Sequence, residues 1–261
     1  MSGFEARWLN LREPVDHAAR DTDLRRMAIE HLVGKGEGVK VVDLGCGTGS
    51  TFRALLPESL RWHWLLLDND PLLLAEARSR HGDAPVLETA ETDLAALSPD
   101  LFAGADLVTA SALFDLVSAG FVQRLAEQIQ RYGAGLYAAL NYDGTCQWGN
   151  RHPADADVVA AFNEDQRRDK GFGPALGPES GPFLKTALEA AGFRVSIKPS
   201  PWVFTPEHAE LHRQFIEGMA SAVAAMRSLD PLLLEDWRRH RLARAEHSSC
   251  TVGHWDVLAL P

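Results

Sequence analysis

The run Asp43-Leu44-Gly45-Cys46-Gly47-Thr48-Gly49 sets a carboxylate directly before alternating glycines. Glycine accepts positive φ and lets backbone amides approach a ligand closely. A turn that holds a pyrophosphate uses G-x-G-x-x-G, with the phosphate on a helix N-terminus. Here the third glycine arrives one residue early, and Ser50 stands where it is expected. Asp43 would repel a pyrophosphate and suit an ammonium group. Further chemistry-bearing residues follow later apolar runs: Asp68, then Asp93-Leu94, then Ala110-Ser111-Ala112-Leu113-Phe114-Asp115.

The elements that position these residues alternate. The spacing predicts helix over Glu5 to Leu32, punctuated by Pro14 and ended by Gly34, Gly36 and Gly38. A β-branched run, Val39 to Leu44, precedes the glycine turn, and Ser50 to Leu56 reads as helix stopped by Pro57. Trp62 to Leu67 forms a second strand, and Asp70-Pro71 caps and opens a helix ending at Gly82. Strands are expected at Pro85 to Thr89, Asp106 to Ala110 and Gly135 to Leu140, with an amphipathic helix over Phe121 to Arg131. The final strands fall at Phe193 to Ile197 and His254 to Leu260. Apolar strands alternating with helices mean a doubly wound, mostly parallel α/β sheet covered on both faces, with its ligand at the carboxyl ends of the strands.

In this strand-turn-helix setting the chain resembles the class I S-adenosylmethionine (SAM)-dependent methyltransferases. The likeness is good over Val39 to Leu140 and looser in the terminal strands. Trp8 to Arg20 and Asn163 to Pro178 look like an uncharacterised bacterial subgroup of the family, which supplies no substrate. The resemblance implies a Rossmann-like sheet with an antiparallel last strand, and SAM as cofactor. It implies a cofactor site made of Asp43, Gly45, Cys46, Gly47, Thr48 and Gly49. Asp68 would bind both ribose hydroxyls, since a carboxylate has lone pairs for both. Asn69 and Leu72 would flank the adenine, and Asp93 and Leu94 would meet its edge. Ala110, Ser111 and Leu113 would line the thioether. An N-terminal cover, residues 1–34, would lie over SAM. Of Arg12, Asp16, His17 and Arg20 on it, Arg20 is the choice for the SAM carboxylate. The Asn/Asp-Pro-Pro-Tyr/Phe tetrapeptide of enzymes that methylate adenine or glutamine nitrogen is missing.

The acceptor side is less defined. Tyr142, Asp143 and His17 are candidates to orient or deprotonate an acceptor, against the plain reading of Asp143-Gly144 as a turn. Insertions 142–182 and 206–247 depart from the alternation within a single domain, 1–261, and are expected to form an acceptor-side lid. The second carries two helical patterns broken at Asp230-Pro231. The lid would favour a small-molecule acceptor; the alternative use of 206–247 is a homodimer interface. The formal net charge of -10 argues against a nucleic-acid partner. Cys46, Cys146 and Cys250 are far apart, so no metal site or redox pair is expected, and a reducing cytoplasm suits them. His152, Asp155 and Asp157 imitate metal ligands but read better as a helix start. Neither a signal-peptide pattern nor a membrane span is expected. Rival readings are a SAM-binding module without catalysis and a nicotinamide-dependent oxidoreductase. Glycine spacing and Asp43 weigh against the latter.

Overall fold

A computed structural model describes residues 6–81 and 86–261. Strands β1 (Lys40–Leu44), β2 (His63–Asp68), β3 (Leu87–Glu91), β4 (Leu107–Ser111), β5 (Gly135–Trp148), β6 (Arg194–Pro199), β7 (Trp202–Phe204) and β8 (Cys250–Leu260) build one sheet. Its order is β3-β2-β1-β4-β5-β8-β6, with β7 also on β8. The pairs from β3 through β5 are parallel, while β8 runs antiparallel to β5, β6 and β7. The order reverses direction between β1 and β4, so their carboxyl ends flank the crevice where ligands bind in such sheets.

The central strands are apolar because both faces are covered. One core layer holds Val41, Trp64 and Leu107, and the other holds Val42, Val108 and Leu136. Around the sheet lie α1 (Ala6–Ala19), α2 (Thr22–Val33), α3 (Ser50–Ala54), α4 (Pro71–His81), α5 (Ala119–Tyr132), α6 (Asp155–Gln166), α7 (Ser180–Ala190), α8 (Ala209–Met226) and α9 (Pro231–Leu242). The amphipathic stripe of α5 is buried through Phe121, Val122, Leu125, Ala126 and Ile129.

Several expected elements are placed differently. The N-terminal helical pattern is two helices, and the break is not at Pro14, which lies inside α1. It falls at Asp21, whose side chain accepts the Leu24 amide at 2.8 Å and caps α2. β5 does not stop at Leu140 but runs to Trp148, and β8 begins at Cys250 instead of His254. The extensions pair with each other through register shifts, with Gly144 at φ +90°. Tyr142, Cys146 and Trp148 are buried on one face of that ribbon, which is why it is strand and not loop. β7 was not anticipated. Gly82 and Pro85, the expected helix end and strand start, lie outside the described residues. In 206–247, Asp230 accepts the Leu232 amide at 2.8 Å and starts α9. Among the described residues no helix is long and apolar enough to cross a membrane.

Candidate active site

The glycine turn leaves β1 at the switch point. Gly45, Gly47 and Gly49 have φ of +63°, +55° and +83°, a region that costs other residues steric strain. The Cys46 amide donates to the Leu67 carbonyl at 3.0 Å, holding the turn beside the end of β2. There Asp68 completes the cradle. Its Oδ2 accepts the Gly47 amide at 2.8 Å and its Oδ1 accepts the Asp70 amide at 3.0 Å. Burial pushes the Asp68 carboxyl upward, and these amides counteract it. Each oxygen keeps a lone pair for an outside donor.

The resulting cleft runs past Asn69, Asp70 and Leu73 on one side and Asp93 and Leu94 on the other. Asp93 caps a short helical turn, its Oδ1 accepting the Ala95 amide at 2.9 Å. Ser111, Ala112 and Leu113, following β4, close the far end. α1 forms the roof: Leu9, Arg12 and Asp16 line the cleft, and a Cβ built on Gly47 would stand 3.0 Å from Leu9 Cδ1.

A larger cavity of about 920 Å³ adjoins this cleft. Arg12, Ala112, Leu116 and Phe172 line both spaces, so the two meet there. The cavity walls come from α1, the segment after β4, the β5–β8 ribbon, α6 with the residues after it, β7 and α8. Aromatic rings dominate: Trp8, Tyr142, Phe162, Phe172, Trp202 and Phe215. Ala112 and Leu140, at φ +51° and +58°, also line it. Non-glycine residues held in the left-handed region concentrate at functional sites, where the surrounding structure overrides the strain. Here the Ala112 amide donates to the Ala139 carbonyl at 2.9 Å, and the Leu140 amide to Asp256 Oδ1 at 2.8 Å.

Comparisons with known proteins agree with this geometry. The sequence profile of a family described as a methyltransferase domain matches residues 42–146. The stretch begins in β1 and takes in the glycine turn, Asp68 and the β4 end. Residues 42–146 thus match a methyltransferase domain. A cyclopropane-fatty-acyl-phospholipid synthase-like protein of Lactobacillus casei shares the fold, with TM-score 0.52 and 14% identity over 95% of this chain and 99% of that one. A cyclopropane synthase of Mycobacterium tuberculosis aligns with TM-score 0.49 and 14% identity over 89% and 83% of the chains. A phosphoethanolamine N-methyltransferase of Haemonchus contortus gives 0.43 and 16% over 90% and 52%. No curated protein sequence matches the chain.

The residues of the cleft suit SAM. The positive-φ glycines leave a cradle that a Cβ would crowd against Leu9, and Asp68 offers the ribose an anionic acceptor. Leu73, Leu94 and Leu113 offer the adenine and thioether apolar walls. When bound, SAM supplies an electrophilic methyl on a sulfonium; the protein's part is to align and to exclude water.

Most expected site residues lie on the cleft: Gly45, Cys46, Gly47 and Thr48, then Asp68, Asn69, Asp93 and Leu94, then Ser111 and Leu113. Others do not. Leu72 is 78% exposed; it follows the cap at Asp70 and turns outward, and Leu73 takes its place. Ala110 is fully buried inside β4, and Ala112 is the residue that reaches the cleft. Gly49 sits behind the turn as the N-cap of α3. Asp43 is buried beneath the turn, its Oδ1 accepting from Thr109 Oγ1 at 2.7 Å and its Oδ2 unpartnered. Burial pushes its carboxyl up to about 7. It positions β4 and does not face the cleft.

Arg20 likewise lies one layer behind. It donates to Ser111 Oγ at 3.2 Å and Thr51 Oγ1 at 3.4 Å, both on the cleft wall, while its Nε and Nη1 are buried without partners. Arg12 and Asp16, on the inner face of α1, hold the positions expected of it. Of the acceptor-side candidates, Tyr142 lines the larger cavity and donates to Asn163 Oδ1 at 2.9 Å. Burial holds its phenol far above the usual range. Asp143 does not line it: its Oδ1 accepts from the Thr145 amide and hydroxyl at 2.8 and 2.7 Å. His17 lines neither space, though its Nε2 meets Oγ of Ser50, a residue of the cleft wall, at 3.0 Å. Asp155 is bound by Arg241 and Trp237. Asp115, which ends the stretch singled out after β4, lines the larger cavity, as do Trp8 and His254, to which sequence reasoning gave no site role.

Proposed function

We propose that the protein methylates a small organic acceptor held in the 920 Å³ cavity. The observation that carries this reading is the meeting of the two spaces at Arg12, Ala112, Leu116 and Phe172. A methyl carried in the glycine-turn cleft would be presented there. The walls include α1, residues 142–172 and α8, so the N-terminal cover and both insertions act as an acceptor-side lid. Their enclosure suits a compact acceptor better than a duplex. The net charge of -10 agrees, because phosphate-rich partners are drawn by Lys and Arg. We place the reaction in the cytoplasm, where the buried thiols Cys46, Cys146 and Cys250 stay reduced.

The test has two steps. Calorimetry on the purified protein should show binding of SAM and S-adenosylhomocysteine and none of NAD or NADP. Incubation with labelled SAM and fractionated cell extract should then label a low-mass compound. Label on RNA, DNA or protein alone would overturn the small-molecule reading.

A further inference from the structure

Asp115 is a buried carboxyl of the larger cavity whose Oδ1 has no hydrogen-bond partner among the described residues. It is 8% exposed. A buried carboxylate oxygen without a partner is costly, and unlike Asp43, whose other oxygen is held by Thr109 beneath the turn, Asp115 lines a cavity. Its backbone is pinned: the Gly177 amide donates to the Asp115 carbonyl at 2.9 Å and the Leu176 amide to Val117 at 2.8 Å. The side chain is thus presented by a fixed loop. Its neighbour Leu116, with Ala112, lines both spaces, so Asp115 stands beside their junction.

Among the polar groups lining the same space, Arg12 and His254 are held in place by their own contacts. Arg12 donates from Nε to Asp16 Oδ2 at 2.7 Å and lies 5.2 Å above the Trp202 ring. Those contacts fix the guanidinium at the junction and leave its Nη groups for a ligand. His254 meets the Val252 carbonyl through Nδ1 at 3.0 Å, so Nδ1 carries the proton and Nε2 is an acceptor.

Resting on the methyltransferase reading, we infer that the acceptor is a hydroxylated aromatic compound, that Asp115 is the general base for its hydroxyl, and that Arg12 steadies the oxygen as it becomes anionic. Arg12, bonded to Asp16, and Lys170, bonded to Asp165, line the cavity with Asp115, and these two cations favour a neutral hydroxyl over an ammonium group there. The aromatic walls select the ring. In the step itself the acceptor O–H bond breaks and its proton passes to a carboxylate oxygen of Asp115. The acceptor oxygen forms a bond to the methyl carbon, and the carbon–sulfur bond breaks with its electron pair staying on sulfur. Asp115 returns the proton to water as product leaves. His254 Nε2 accepts from a second donor on the ring and sets its orientation.

The titration of the carboxyl suits this role. Burial pushes it up to about 6, and Arg12 and Lys170 restrain the rise. It is therefore ionised at neutral pH yet near the operating range, where a general base works best. The titratable groups that line the cavity with it are Arg12 from α1, Asp169 and Lys170 after α6, Tyr142 from β5 and His254 from β8, with Lys170 bonded to Asp165 at 2.7 Å. Burial, then Arg12, pushes His254 down to about 3, so it is neutral throughout this range.

Quenching of tryptophan fluorescence, with Trp8 and Trp202 in the cavity wall, reads binding directly, using 2-naphthol, its methyl ether and naphthylmethylammonium as probes. Wild-type protein should prefer 2-naphthol over the ether by about tenfold or more at pH 8, the value of a hydrogen bond to a charged group. Asp115→Asn should erase most of that preference and cut methyl transfer to hydroxyarenes by about 100-fold or more, with SAM affinity unchanged. If the variant does not fold, the wild-type preference should still vanish as pH falls from 8 to 5, while ether binding stays flat. Equal binding of 2-naphthol and its ether, no saturable binding of 2-naphthol, or preference for the ammonium probe overturns the assignment while SAM still binds. A protein that binds no SAM overturns the methyltransferase reading beneath it.

Discussion

Replacing Asp68 with alanine removes the carboxylate that ties the glycine turn to β2. Its oxygens accept the Gly47 and Asp70 amides at 2.8 and 3.0 Å and, in the bound state, would accept the ribose hydroxyls as well. A hydrogen bond to a charged group contributes about 1.5–3 kcal/mol. Losing both ribose bonds therefore costs about 3 kcal/mol or more, which is about 100-fold in Kd. Stability should suffer less. The Gly47 amide is left without its acceptor, a penalty of about 1–3 kcal/mol. Against that, burial pushes the Asp68 carboxyl up, so removing it also removes a desolvation cost. A net loss of about 1 kcal/mol lowers Tm by about 2–4 °C in a chain of this size. Calorimetry with SAM and a thermal melt without it separate the effects. Unchanged SAM affinity in a folded variant would remove Asp68 from the site, and a collapse of the melt would make its role structural.

Other substitutions test other layers. Gly47→Val should abolish SAM binding, because φ is +55° and a Cβ already stands 3.0 Å from Leu9 Cδ1; calorimetry showing wild-type affinity would refute the close approach. The Asp43 carboxyl is pushed up to about 7 by burial, so its contribution to stability is full below about pH 4 and is lost as pH rises through 7. Asp43→Asn should therefore gain Tm relative to wild type as pH rises from 4 to 8, and a constant difference would count against that pKa. Asp155→Ala strands Arg241, which is 1% exposed and bonds both carboxylate oxygens at 2.5 Å. Breaking such a buried pair costs about 3–5 kcal/mol, so thermal unfolding should come well over 5 °C earlier.

The cofactor half was legible because its residues are local. A strand, a glycine turn and an acid at the next strand end are contiguous patterns, and each residue's place follows from its distance to a strand terminus. The misplaced residues failed on phase. Leu72 and Leu73 differ by about 100° around α4, and Ala110 and Ala112 flank a strand end where the chain turns through positive φ. Arg12 lies within α1 and Arg20 just past its end, eight residues on, and spacing alone cannot say which of them overhangs the cleft. Asp143-Gly144 carries a turn signature, yet it is a bulge within a long antiparallel ribbon. The larger cavity draws Trp8, Asp115, Tyr142, Phe172, Phe215 and His254 from separate elements. No periodicity within one segment reports such a meeting, and Asp115 stood out only as the last residue of the stretch after β4.

On the proposed reading, the two halves of the site can vary independently, and the packing shows why. The cleft hangs on β1, β2 and β4, whose registers are fixed by parallel pairing of buried strands. The larger cavity hangs on the β5–β8 ribbon, and that ribbon is braced from the other side by α8 and α9. Trp148 donates to His212 Nε2 at 3.2 Å and meets the Trp237 ring edge-on at 5.6 Å. Arg241 stacks 4.6 Å from the Trp148 ring and donates to the Asn150 carbonyl at 2.7 Å. α9 therefore holds up a wall it does not line, and α8 supplies Gln214, Phe215, Gly218 and Met219 to the inside. A change of Phe215 or Met219 reshapes the acceptor space without touching the glycine turn. Arg12 breaks this independence, because it lines both spaces and is locked to Asp16, which in turn accepts from Trp202 Nε1 at 2.8 Å. α1 is thus the roof of one space and a wall of the other. Any acceptor that displaces Trp202 must also disturb the cofactor roof, so binding of the two should be coupled through this single ion pair.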